Sequence, residues 1–461
     1  MGDNSVVISV SETTDTRENG RLTPLTRINQ IAPTQVVDAA QLNYRRPATR
    51  FTSKLAIILF FTHLVTASIL ILFLSVRGFL SRSPSFHPAR WFTSLLTSAV
   101  ASILVAILWP LLVLRYPAKA LRAALLLAPS LAVGVAVLLL ADDGGGSLAS
   151  AVLFLALALV LILYCCWITR RLRHAEEILS AAGASVRPTL VLAKYLGLAL
   201  LAGLVYFSFW TLGAGGLAAG GASRFAALYV LLLLLSLGWT MQAIRYVVHV
   251  AVAQLAYARL AWGTEVAVPT AFDTAAMRVL GQVCFGSAAV PVVVTARVAA
   301  QAMGSVAGDS DEFLFSCSSC FMGVADRLVT LVNRWGFVYV AVHRQGLGGA
   351  SAEIWELFVK QGMDKLIDLD LTGPFCFLCG VVGGGVSAMV AGPWVLEAGE
   401  GHVAEATVYA FAVGYFMTRI AMAWPQACVA AYHVVFAENP QNNEMGSCIR
   451  ERMRQLQTSP N

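Results

Sequence analysis

The stretch Gly414-Tyr-Phe-Met-Thr-Arg-Ile-Ala-Met-Ala-Trp-Pro-Gln-Ala-Cys-Val-Ala-Ala-Tyr-His-Val-Val-Phe-Ala-Glu-Asn-Pro440 is apolar enough to cross a bilayer. Yet it carries Arg419, the pair Trp424-Pro425, Gln426, Tyr432 and His433. A helix that served only as an anchor would be built from Leu and Val. An ionised side chain at membrane depth costs about 2.5–3.5 kcal/mol on insertion scales, so such residues face a protein interior or a watery path. The segment predicts a polytopic membrane protein with polar groups inside its bundle.

Composition agrees with this reading. Of 461 residues, 58% are hydrophobic and only 13% charged, where a soluble domain is nearer a quarter charged. The mean hydropathy is +0.71. The apolar runs are continuous rather than alternating, which predicts helices and argues against a barrel. The fold class expected is all-α, a transmembrane bundle of about ten spans. The net charge of +6 is attributed to cytosolic loops facing anionic lipid, and no nucleic-acid partner is expected. The first 50 residues lack an early apolar core, so the first span is expected to act as an uncleaved signal.

Residues 1–54 read as a disordered cytosolic tail, 55–436 as the transmembrane domain and 437–461 as a second cytosolic tail. Arg45, Arg46, Arg50 and Lys54 place the N-terminus inside. Spans are predicted at Leu55–Val76, Ser94–Leu114, Ala123–Ala141, Ser147–Trp167, Leu190–Leu212, Phe225–Val250, Val279–Met303, Phe375–Leu396 and Val408–Phe436. The amphipathic stretch Phe313–Val342 is either a tilted tenth span or an interfacial helix. Arg170, Arg171 and Arg173 suit the cytosol, as do Arg450, Arg452 and Arg454; Asp142, Asp143, Glu397, Glu400 and Glu405 suit the outside. Inside-to-inside requires an even count, hence ten. The first two loops tie: Arg77, Arg82 and Arg90 in one, Arg115, Lys119 and Arg122 in the other.

The first five spans are plain Leu/Ala/Val runs, whereas the later ones collect Gly, Pro, Trp, Tyr, Arg and Cys. Pro291, Pro425 and the run Gly380, Gly383, Gly384, Gly385 can interrupt helices and expose backbone at mid-membrane, the way transporters build sites. They can equally serve kinks and close packing, as Gly380-x-x-x-Gly384 and Gly216-x-x-x-Gly220 suggest. Trp239, Trp335, Tyr339, Tyr415 and Trp424 are candidate contacts for an organic cation, which ring faces hold at about 0.5–2 kcal/mol each. The alternative for each is an interfacial aromatic belt. Arg419 is expected to latch helices by pairing with an acid or a helix C-terminus, and Asp326 and Glu438 are candidate gates or charge partners. Cys317-x-x-Cys320 and Cys376-x-x-Cys379 mimic a two-knuckle zinc pattern, but the second pair lies in an apolar span without a neighbouring His or Asp. No metal or cofactor is expected. Without a phosphate loop, His-Glu-x-x-His or Gly-x-Ser-x-Gly motif, an enzyme is not expected either.

Several ordered blocks in residues 225–445 are similar to the choline transporter-like family. They are Phe285-Gly-Ser287 followed by a proline-bearing span, Gly308-Asp-Ser-Asp-Glu-Phe-Leu-Phe-Ser-Cys-Ser-Ser-Cys320, Asn333-Arg-Trp-Gly-Phe-Val-Tyr-Val-Ala-Val342, and the exit Ala437-Glu-Asn-Pro440. Their wording most resembles the short plant members, related to the fungal form. The resemblance implies about ten spans, cytosolic termini and facilitated movement of choline or a related cation. The partners it implies are a small cationic solute and membrane lipid, with the plasma membrane or an organelle as the site. The competing expectation is a non-transporting protein that handles lipid or serves trafficking.

Overall fold

Apolar runs of bilayer length leave the backbone no partner but itself, and every described element is a helix. The structure is a computed structural model of the chain. It describes residues 47–80, 88–142, 145–168, 172–219, 225–307, 324, 327–368, 370–397, 403–440, 449–451 and 453. In chain order the helices are α1 Pro47–Leu80, α2 Pro88–Arg115, α3 Pro117–Leu140, α4 Gly145–Ile168, α5 Leu172–Gly183, α6 Leu190–Ala219 and α7 Ala226–Trp262. They continue with α8 Val268–Asp273, α9 Leu280–Ala307, α10 Gly336–His343, α11 Leu347–Lys360, α12 Asp364–Asp368, α13 Thr372–Glu397, α14 Val403–Ala421 and α15 Ala423–Glu438.

Among the described residues eight helices are long and apolar enough to cross a membrane, or nine if one bent pair counts as a span. The predicted runs all reappear. The tenth, Phe313–Val342, lies partly outside the described residues. Its described end is helical to Leu331, breaks over residues 332–335 and resumes as the eight-residue α10, buried from Gly336 to Ala341. That portion is packed inside protein rather than lying at an interface. The amphipathic α5 and α11 add to the predicted spans; neither has the long apolar run that signals a membrane crossing.

At Pro291 and at the α13 glycines the helices run uninterrupted, which favours the reading of kinking and close packing over that of interruption. Helix α9 runs through Pro291. The break comes earlier, where a π-helical turn at Thr274–Arg278 and Val279 (φ −115°) bend the chain by 74° between α8 and α9. Helix α13 is continuous through residues 380–385, and its glycines serve packing. A Cβ on Gly383 would strike Thr418 and come within 2.8 Å of the Gly414 carbonyl; one on Gly414 would strike the Gly383 carbonyl. Gly384 bears on Phe411. The same small-residue logic joins α1 to α6, where Gly78 and Gly216 meet backbone to backbone.

The chain turns at Met422 between α14 and α15, three residues before Pro425. Pro425 therefore stands in the first turn of α15, where a missing N–H costs little. Together the two helices form one 36-residue span, Val403–Glu438. Helix α15 lies against α5, α7, α10 and α11, while α14 packs on α2 and α13. Every residue from Ala423 to Ala437 is buried.

Basic residues gather at one end of the bundle. Leu114 meets Gly183 and Arg122 pairs with Glu176, so the α2–α3 turn sits beside α5. Tyr195 stacks on Phe272, and Tyr257 reaches Glu438, which brings the entry of α6 and the exits of α7 and α15 to that same end. Packing thus separates the first two loops, which charge alone leaves tied.

Gly414→Ala is expected to lower the thermal stability of the purified protein by about 1–3 kcal/mol, because a methyl there must push the α13 and α14 backbones away from each other. Gly197→Ala, which meets nothing within 4 Å, should leave the melting temperature unchanged or slightly raised.

Candidate functional site

The polar groups predicted inside the bundle collect around α15. Arg245 on α7 is 6% exposed. Its guanidinium donates to Gln426 of α15 and to Gln242 Oε1 at 2.8 Å, and lies 5.3 Å from the Tyr246 ring centroid. One turn further, His249 lies near the backbone of Arg334 and Ala423, with neither ring nitrogen in a well-formed hydrogen bond. Arg334 is ion-paired to Asp370 and lies 4.4 Å from the Trp335 centroid. Asp370 also accepts from the Thr372 N–H at 3.0 Å and the Thr372 hydroxyl at 2.6 Å. Burial resists ionisation of Asp370, but Arg334, His433 and the Thr372 donors outweigh it and hold the carboxyl below the usual range. His433 on α15 is fully buried beside this pair, and neither of its nitrogens is hydrogen-bonded.

A second cluster lies at the basic end. The Tyr257 hydroxyl donates to Glu438 Oε2 at 2.7 Å, and Tyr339 of α10 lies close to the same carboxylate. The Tyr339 and His343 rings are 4.9 Å apart, and Tyr257 lies edge-on to Trp262 at 5.2 Å. Glu353 of α11 adds a second acid nearby. Burial lowers His343 below its ordinary value against the pull of Glu353, so the ring is neutral at pH 7.

The predicted aromatics do not form one box. Trp239 donates to the Cys284 carbonyl and the Ser287 hydroxyl, both at 3.1 Å, and stacks on His63 at 4.6 Å. Trp335 packs edge-on against Phe358 with Arg334 on its face. Tyr415 belongs to a ring row with Phe377, Phe411 and Phe416. Trp424 is 4% exposed, with its indole N–H unpartnered. Among the described candidates, Tyr339 comes close to Glu438, and Tyr415 lies beside Arg419. The stem of Arg419 packs across Gly380 beside Tyr415, and no acid partner is found for it among the described residues. Asp326, Cys317 and Cys320 lie outside the described residues, as does the block 308–320. Cys376 and Cys379 are buried free thiols, and no metal-holding group of three ligands occurs among the described residues.

Hydropathy does not reveal Tyr257, because the predicted sixth span stops at Val250 while the Ala-rich sequence beyond carries α7 on to Trp262. Asp370 escapes as well, because a lone acid in a short loop has no periodic signal. Its partner Arg334 lies in a block that the sequence does single out. There, Asn333 Oδ1 accepts from the Gly336 N–H at 2.8 Å, its Nδ2 donates to the carbonyls of Val329 and Ser351, and a Cβ on Gly336 would strike Ser351. Asn-Arg-Trp-Gly is thus the corner that fixes α10 against α11 and α13.

A family model described as plasma-membrane choline transporter matches residues 152–441, more than half of the chain. The chain belongs to the choline transporter-like family. Among relatives, Protein PNS1 of Mycosarcoma maydis is 26% identical over 412 residues, covering 80% of this chain and 74% of its own. Protein pns1 of Aspergillus fumigatus is 26% identical over 184 residues, 37% of this chain and 34% of its own. A CTL-like protein of Dictyostelium discoideum is 24% identical over 110 residues, 23% of this chain and 20% of its own. Family membership and the helices described above make this a multi-pass membrane protein of a transporter family.

Removing one partner of the Arg334–Asp370 pair strands a buried charge, which costs about 3–5 kcal/mol. Asp370→Asn should therefore lower the melting temperature markedly at neutral pH. Because the folded carboxyl titrates below its unfolded value of about 3.9, the pair's contribution is complete above that value and is lost as pH falls through the folded one. The gap between parent and variant should stay constant from pH 7 down to about 5 and close only in stronger acid.

Proposed function

We propose that the chain moves choline or a related organic cation across the plasma membrane by alternating access, as a facilitated carrier. The observation that carries this reading is the Glu438 carboxylate held by Tyr257 and flanked by Tyr339, with Trp262, His343 and Glu353 around them. A quaternary ammonium neither donates nor accepts a conventional hydrogen bond. It is held by ring faces and by a carboxylate. In this arrangement Glu438 is the gate: its bond to Tyr257 ties α15 to α7, and its contact with Tyr339 ties it to α10. A cation that takes the carboxylate releases the phenols and loosens that end.

Deeper in the bundle, Trp424 and Tyr415 are assigned to solute contact, the unpartnered indole N–H of Trp424 being free to donate to the hydroxyl oxygen of choline. The faces of Trp239 and Trp335 are already taken by His63 and Arg334, so these two act as walls. The basic end faces the cytosol by the positive-inside rule, which assigns the polar segments 1–54 and 437–461 to that side. No coupling ion is required. A monovalent cation moving inward gains about 2.3 kcal/mol per 100 mV, enough for roughly fiftyfold accumulation.

Radiolabelled choline uptake into proteoliposomes tests the proposal. Uptake should saturate and quicken under an inside-negative potential. Glu438→Gln should cut the rate about tenfold or more, in line with losing a charge–cation contact. Tyr339→Phe, which keeps the ring, should cut it only several-fold, and Trp424→Ala should weaken apparent affinity. Uptake equal to that of empty liposomes, with or without potential, would end the choline reading.

A further inference from the structure

Arg245, which is buried, and Arg419, which is half-buried, lie close enough to repel each other, near Cys376 and Tyr415. Neither has a carboxylate partner among the described residues. Asp370, which also acts on Cys376, is engaged by Arg334, so among the described residues this region holds more positive than negative charge. Arg245 directs its hydrogen bonds to the neutral amides of Gln242 and Gln426. Arg419 leaves its Nε and one Nη buried and without a partner.

A guanidinium cannot shed its proton to escape such a setting. Two of them close together inside the bundle repel, and no acid among the described residues offsets that repulsion. The free N–H groups of Arg419 point to what does. We propose that Arg245 and Arg419 bind a small inorganic anion between α7, α14 and α15.

The surroundings set its size. The stem of Arg419 and the ring of Tyr415 already press on Gly380, and the two glutamine amides hold the Arg245 fork in one orientation. A halide fits this frame better than a bulky oxyanion. The anion would neutralise the path beside Trp424 and Tyr415, along which free arginines would repel a cation. It would also bridge α7 to α14. The proposal does not rest on choline as the solute, because anion binding is measured with no cationic substrate present.

The test is thermal unfolding of the purified full chain in sodium chloride against sodium gluconate at equal ionic strength. Chloride should raise the melting temperature of the parent saturably, by several degrees. Arg419→Gln should abolish that rise, and in gluconate the variant should be at least as stable as the parent, because one of two repelling charges is gone. Arg419→Lys should keep a weakened response. A parent that unfolds alike in both salts overturns the proposal, as does a chloride response unchanged in Arg419→Gln. Should that variant fail to fold, radioactive chloride binding to the parent decides: stoichiometric binding displaced by nitrate supports the site, and no binding overturns it.

Discussion

Helix α15 is enclosed by protein from Ala423 to Ala437, and the rest of the architecture follows from that enclosure. A segment bearing Gln426, Tyr432 and His433 cannot face hydrocarbon without a penalty for each unsatisfied group. The chain wraps it with α5, α7, α10 and α11. The plain spans α1, α4 and α6 then supply lipid-facing surface, with Leu, Ile, Val and Phe exposed along them. The division of the sequence into simple and complicated spans is therefore a division between surface and interior.

The fold class is legible because hydropathy reports directly on burial in lipid, and the plain runs lie close to the observed helices. Detail inside the bundle is not. A helix buried on all sides has no apolar stripe, so periodicity says nothing about which of its faces meets which neighbour. Pro291 and the α13 glycines look like breaks because sequence cannot weigh a lost hydrogen bond against the packing that replaces it. The actual break, at the π turn before Val279, involves no proline or glycine. Glu438 and Tyr339 each stand out in the sequence, but their meeting depends on residues about a hundred positions apart. An acid or a helix C-terminus is the natural expectation for Arg419; no acid partner occurs among the described residues, and its stem packs across Gly380.

The blocks that carry the family likeness divide by what they do. Asn333, Arg334, Trp335 and Gly336 build a corner through hydrogen bonds, an ion pair, a ring contact and a close approach. None of the four has a free face to offer a solute. Ala437-Glu-Asn-Pro440 differs, since its acid closes the tyrosine cluster. A signature shared across a family can thus mark the frame that carries a site rather than the site, and two members alike in these blocks can differ in what they carry.

Helix α7 has 37 residues and the α14–α15 pair spans 36, which at about 1.5 Å per residue is close to 54 Å, against a hydrocarbon layer of about 30 Å. Both helices must project past the acyl chains, and Tyr257 and Glu438 lie near their shared end. The tyrosine–carboxylate cluster therefore sits at the depth of the lipid headgroups rather than in the apolar layer. A cytoplasmic leaflet at about −30 mV enriches a monovalent cation roughly threefold over the bulk. A solute leaving through this cluster would enter that enriched layer first, so leaflet composition would set the local concentration against which release must work.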